Sequence, residues 1–116
     1  MITPDEILND VNQDVQNIKV PIIDDIDSFV KARARKLKDL QIVQYEIDYQ
    51  MNLLGDKEFK DKYNQLKEYV IKEIIDDYES FGWIVEEKME SGKTVLNFAT
   101  EKIMKHLEYE QNHRDR

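Results

Sequence analysis

Ser80-Phe81-Gly82-Trp83-Ile84-Val85-Glu86-Glu87-Lys88-Met89-Glu90-Ser91-Gly92-Lys93-Thr94-Val95-Leu96-Asn97-Phe98 is the stretch that decides the fold class. Up to Phe81 the apolar residues recur at helical spacing, and beyond Gly82 the period falls to two. Trp83 to Met89 reads as a strand led by aromatic and β-branched residues. Glu90-Ser91-Gly92-Lys93 is a turn, and Thr94 to Phe98 is the returning strand. One β-hairpin over 83–98 in an otherwise helical chain predicts an α+β, helix-dominated fold. Trp83, Val85, Met89, Leu96 and Phe98 form its apolar face. A two-stranded ribbon alone is marginal in water, so it must lie on the helices or pair with another sheet.

Upstream, Phe59, Tyr63, Leu66, Val70, Ile74, Tyr78 and Phe81 recur at steps of 4, 3, 4, 4, 4 and 3. This is the cleanest amphipathic pattern in the chain, with Asp56 as N-cap and Gly82 ending it at the C′ position. A second helix is expected from Asp24 or Asp25 to Leu54, where Gly55 supplies the left-handed stop. The short Gly55-Asp56 junction would fold these two into an antiparallel helical hairpin over 24–82. From Leu40 onward that helix carries a surplus apolar set, Ile42, Tyr45, Tyr49 and Leu53, beside its main stripe. Such a double face is more than one edge of a small core covers, and it predicts an interface.

At the amino end, Thr3-Pro4-Asp5-Glu6 spells a capping box with proline at the first helical position, and Ile2 and Ile7 have staple spacing. The N-terminal helix is expected over 1–19, stopped by Val20-Pro21 because the residue before proline is pushed out of the α region. Thr100 should cap a short C-terminal helix over 100–112, followed by a frayed polar end from Gln111 to Arg116. The whole chain, 1–116, reads as a single domain.

The 116 residues carry 25 acids against 17 bases, a net charge of -8, and no cysteine. That excludes a disulfide framework, a thiolate nucleophile and a zinc–cysteine cluster. It also weighs against bulk attraction to nucleic acid or anionic membrane. No run reaches the 18 or so apolar residues of a membrane span. The amino terminus is acidic where a signal or transit peptide would be basic. A soluble protein of the host-cell cytoplasm, or of a virion, is the expectation.

Residues that suggest chemistry have simpler readings. Gly92-Lys93-Thr94 resembles the end of a phosphate loop, but the required earlier glycine is Glu87 and a strand follows in place of a helix. His106 and His113 lack the company of a metal site, and no metal or cofactor is expected. Asp24-Asp25-Asp27 read as helix N-terminal acids and Asp76-Asp77 as a solvated face. No catalytic constellation can be assembled, so an enzyme is not expected.

The exception to the acidity is Lys31-Ala32-Arg33-Ala34-Arg35-Lys36-Leu37-Lys38, with five bases and no acid, against seven acids and Lys19 alone in residues 1–27. Lys31, Arg33, Arg35, Lys36 and Lys38 have three readings. They pair with the acidic first helix packed across them, meet an acidic partner protein, or touch nucleic-acid phosphate. Among the aromatics, Tyr63 and Tyr78 fall on the core stripe. Tyr45 and Tyr49 fall on the surplus face with Ile42 and Leu53, and with Trp83 they are the expected protein interface.

The segments Ile75-Asp76-Asp77-Tyr78-Glu79-Ser80-Phe81-Gly82-Trp83-Ile84-Val85 and Ser91 to Phe98 resemble small proteins of bacteriophages of Gram-positive hosts. The likeness lies in a helix ending in Gly-Trp-x-Val and feeding a short hairpin. It implies a virion component or a host-directed inhibitor, and transfers no catalytic residue. The expected function is a non-catalytic protein-interaction or structural subunit, through a protein partner or self-association. The alternatives are an acidic inhibitor of a host enzyme or defence protein, and a winged-helix-like nucleic-acid binder using Lys31–Lys38 with the Ser91-Gly92-Lys93 turn as its wing.

Overall fold

The protein is helix-dominated α+β. A computed structural model describes residues 1–114, which form five helices and three strands. Helix α1 spans Pro4–Ala32 and α2 spans Ala34–Lys38, followed by strand β1, Val43–Tyr45. Helices α3, Ile47–Leu54, and α4, Lys57–Ser80, come next. Strands β2, Ile84–Glu90, and β3, Lys93–Ala99, form the hairpin, and α5 spans Glu101–Arg114. The last two positions of the end expected to fray lie outside the described residues, and Gln111 to His113 are helical.

The predicted caps hold. Thr3 and Glu6 form the reciprocal capping box, Asp56 Oδ1 accepts from the Phe59 N–H at 2.9 Å, and Thr100 Oγ1 accepts from the Ile103 N–H at 3.2 Å. Gly82, at φ 95°, ends α4. The Gly82 N–H reaches the Glu79 carbonyl at 3.0 Å and the Trp83 N–H reaches Tyr78 at 3.2 Å, a Schellman closure.

Three boundaries differ from expectation. Pro21 does not stop the first helix but sits inside α1. It is exposed, and so is Asn17, whose carbonyl it leaves without an intrahelical donor. Solvent can therefore serve that acceptor, while the stripe Val15, Ile18, Ile22, Ile26 and Val30 stays buried through it. The predicted helix over 24–54 is not one element. It breaks at Arg33, makes the single turn α2, and closes on Leu40 at φ 60°. Gln41 N–H to Lys36 O, 2.8 Å, and Leu40 N–H to Leu37 O, 3.1 Å, form a second Schellman closure with leucine where glycine is usual. The hairpin over 24–82 is thereby reduced to a reversal at Gly55-Asp56 between the short α3 and α4. Gly55 is not the expected left-handed stop but extended, at φ -131°. It is needed there because a Cβ would come within 2.4 Å of the Phe59 ring.

The sheet order is β1-β3-β2, antiparallel throughout. Val43 faces Phe98 and Tyr45 faces Leu96 on one side of β3. Val85 faces Phe98 on the other, and Glu90 pairs with Lys93 around the Ser91-Gly92 tip. The hairpin's required neighbour is thus supplied by β1 from within the chain. Val43, Tyr45, Val85, Leu96 and Phe98 share the inner face and pack on the α1 and α4 stripes in one core. Tyr78 and Trp83 meet the Phe98 ring edge-on at 5.2 and 6.3 Å. Of the two edge strands, β2 carries Glu86, Glu87, Lys88 and Glu90, charges that discourage edge-to-edge pairing.

The molecule is long, 65 × 28 × 25 Å, with a radius of gyration of 16.8 Å where a compact chain of this length has about 13 Å. At one end, α1 overhangs the core, and residues 1–10 are all exposed.

Candidate protein-interaction site

The expected interface splits apart. Tyr45 is fully buried in β1; its hydroxyl donates to Asp25 Oδ2 at 2.7 Å and its ring meets Phe29 edge-on at 5.1 Å. It is a core residue, because a strand turns alternate side chains inward where a helix would have laid 42, 45, 49 and 53 along one side. Ile42 is half-buried. Tyr49 and Leu53, 48% and 66% exposed, still share the outer face of α3. Trp83 is half-buried against Phe98.

The acids of α1 are also reassigned. Asp24, Asp25 and Asp27 lie mid-helix, so they are not N-terminal acids. Asp27 Oδ1 accepts from the Tyr78 hydroxyl at 2.6 Å, repeating the Tyr45–Asp25 pairing. A third carboxylate, Asp48, joins three elements. It accepts from Tyr63 Oη at 2.9 Å, Lys67 Nζ at 2.9 Å and the Thr94 N–H at 2.8 Å. Burial opposes its charge, but these three donors prevail and hold its carboxyl below the ordinary carboxylate range. Burial first, and the carboxylate partner second, push the Tyr45, Tyr63 and Tyr78 phenols far up. Buried Lys19 meets Asp77 at 3.0 Å and Glu73 at 3.3 Å. Burial lowers its pKa, and these two acceptors outweigh that and raise it. Asp77 is therefore an ion-pair partner and not simply solvated, whereas Asp76 is exposed. Sequence spacing carries no signal for these pairs, since each joins two different elements and depends on how those elements pack.

The basic turn lies at the other end of α1 from the acids of residues 5–14, so the expected pairing between them does not occur. Arg33 stacks on the Phe29 ring, 3.4 Å from guanidinium carbon to centroid, and donates to the Phe29 carbonyl at 3.1 Å. Lys31, Arg35, Lys36 and Lys38 are exposed. Among the described residues, none of the five enters an ion pair. Their position also separates them from the Ser91-Gly92 tip. The turn packs beside Tyr78, whereas β3 near the tip is tied through Asp48 to Tyr63, roughly 20 Å earlier along α4. A single surface built from both, as the winged-helix alternative required, does not form.

What the turn does border is an apolar groove. Val30, Ala34 and Leu37 face Trp83 and Phe98 across a hollow of about 350 Å³, with Lys31 on its rim. It adjoins a second hollow of about 410 Å³ between Ile23, Phe81 and Trp83. Phe81, 85% exposed, stands at that mouth. His106, half-buried, pairs with Glu110 on α5 at 3.1 Å, and His113 is exposed. No group of metal-ligating side chains is found among the described residues, and no helix there is long and apolar enough to cross a membrane. Comparison with protein-family models, curated proteins and solved structures returns no match.

Proposed function

We propose that the chain is a non-catalytic protein-interaction or structural subunit, of a phage-type virion or another assembly. The observation that carries this reading is the apolar groove between α1–α2 and Trp83, with Lys31 on its rim and exposed Phe81 at the adjoining mouth. An open apolar groove with a charged rim suits a partner's side chains. In further support, each titratable group with a shifted pKa is already held by a partner: Lys19 by Asp77 and Glu73, Asp48 by Lys67, and the three phenols by carboxylates. Among the described residues, none of these groups is left poised as an acid, base or nucleophile. The phage-type setting rests on the likeness of residues 75–85 and 91–98 described above.

Affinity capture from cells expressing the tagged chain tests the reading. A specific protein should be retained by the wild type and lost from Phe81→Ala/Trp83→Ala. Equal retention by both, or no specific retention, contradicts a role for the groove.

A second reading is favoured by topology. The path helix, strand, helix, turn, helix, hairpin, with strand order β1-β3-β2, is that of a winged helix-turn-helix. There α4 would be the recognition helix and Ser91-Gly92 the wing tip. The leading turns of α4 set Lys57, Lys60 and Lys62 beside Glu58 and Asp61, a mixed surface with little attraction for phosphate. Titration of duplex DNA decides it: binding that weakens steeply with salt supports this reading, and its absence removes it.

A further inference from the structure

We propose that the chain associates head to tail, the overhanging N-terminal arm of α1 in one copy docking into the basic-rimmed groove of the next. This rests on the protein-interaction reading and names a second copy of the chain as the partner.

The arm supplies one half of the contact. Ile7 and Leu8 are exposed on α1, flanked by exposed Asp5, Glu6 and Asp10. Among the described residues, none of these three acids enters an ion pair. The ion pair nearest the arm, Lys62 Nζ to Asp14 Oδ1 at 3.9 Å, comes one turn later. The groove supplies the other half. Val30, Ala34 and Leu37 line its helical wall and Lys31 its rim, with Arg35 and Lys38 exposed beyond the break at Arg33 on the short α2. The one acid lining this hollow, Asp27, accepts the Tyr78 hydroxyl at 2.6 Å. A short helix with an apolar ridge between acids is the complement of an apolar groove edged by bases.

These halves cannot meet within one molecule. Asp10 and Lys31 lie on a single unbroken helix, separated by roughly 30 Å of rise, and α1 is braced on α4 through Lys19, Glu73 and Asp77. Complementary charge at opposite ends of one rod is therefore met by another copy. Such an interface is heterologous, and repetition yields a ring or an open filament.

Sedimentation velocity of the full chain tests the proposal. At low salt the average sedimentation coefficient should rise with concentration, and at high salt the rise should shrink as the charges are screened. Two charge-reversed variants probe the halves: Asp5→Lys/Asp10→Lys, which leaves Glu6 in its capping box, and Lys31→Glu/Arg35→Glu/Lys38→Glu. All substituted side chains are exposed, and circular dichroism verifies folding; Ile7→Ser/Leu8→Ser probes the arm independently of charge. Each variant alone should stay monomeric. Mixing the two charge-reversed chains should restore association, because each then offers the other's complement. A wild type that is monomeric throughout, variants that associate as the wild type does, or a mixture that fails to recover would each overturn the proposal. A monomeric wild type that still captures a cellular protein through Phe81 and Trp83 removes self-association alone and leaves the functional reading standing.

Discussion

The Tyr45 hydroxyl donates to Asp25 Oδ2 at 2.7 Å and so fastens strand β1 to the middle of α1. Removing it with Tyr45→Phe keeps the ring contact with Phe29 and loses the hydrogen bond. The expected destabilisation is about 1 kcal/mol, since half-buried Asp25 can recover water. Tyr49→Phe, at an exposed position, should change stability by less than about 0.5 kcal/mol. Urea denaturation of both variants makes the comparison.

Alkaline pH should unfold the protein through Tyr45, Tyr63 and Tyr78. Above pH of about 10 the unfolded chain releases these phenol protons while the folded chain retains them, so the unfolded state binds fewer protons and stability falls as pH rises. Lys19, raised in the folded state, acts in the same direction: its contribution is complete below the ordinary lysine range and is lost above it. Each retained proton steepens the decline by up to about 1.4 kcal/mol per pH unit. Tyrosinate absorbance should show three of the six tyrosines ionising together with loss of helical circular dichroism.

Asp48 governs the acid limb. Its carboxyl is held low, so its stabilisation is present above the ordinary carboxylate pKa of about 4 and is lost as pH falls through the lower folded value. Asp48→Asn leaves Lys67 without its partner and weakens the bonds from Tyr63 and Thr94. It should cost about 2 kcal/mol at neutral pH and flatten the acid dependence. Denaturation midpoints of wild type and variant across acid pH provide the check.

Pro21 is the position where local chemistry and tertiary structure disagree. Pro21→Ala restores a donor for the Asn17 carbonyl and should stabilise the chain by about 2 kcal/mol. Thermal unfolding monitored by circular dichroism reads the gain. A loss of stability would mean that α1 relies on the proline at this point.

The same residue shows what was legible in the sequence. The steps from Ile18 to Ile22, Ile26 and Val30 continue the helix through Pro21, and burial of that stripe outweighs one lost hydrogen bond. The caps at Thr3, Asp56, Gly82 and Thr100, the α4 stripe from Phe59 to Tyr78 and the hairpin over 83–98 are readable, because each rests on local periodicity or turn chemistry. Phe81 and Met89, by contrast, expected on the apolar faces, are exposed. Strand β1 is not readable. Ile42-Val43-Gln44-Tyr45 fits either period over so few residues, and pairing with β3 across half the chain decides between them. Taken as helix, the segment sets Tyr45 on the surplus face and gives no sign of the carboxylate–phenol pairs. The basic turn was visible, but its surroundings were not, since Trp83 and Phe98 reach it only through the fold.

Head-to-tail association requires the acidic arm of one copy to meet the basic turn of another. Zero-length carboxylate–amine cross-linking of an equal mixture of isotopically heavy and light protein tests it most directly. Head-to-tail docking should give mixed heavy–light peptides joining Asp5 or Asp10 to Lys31 or Lys38. Cross-links confined to peptides of one isotope, or their absence between these two segments, would contradict it.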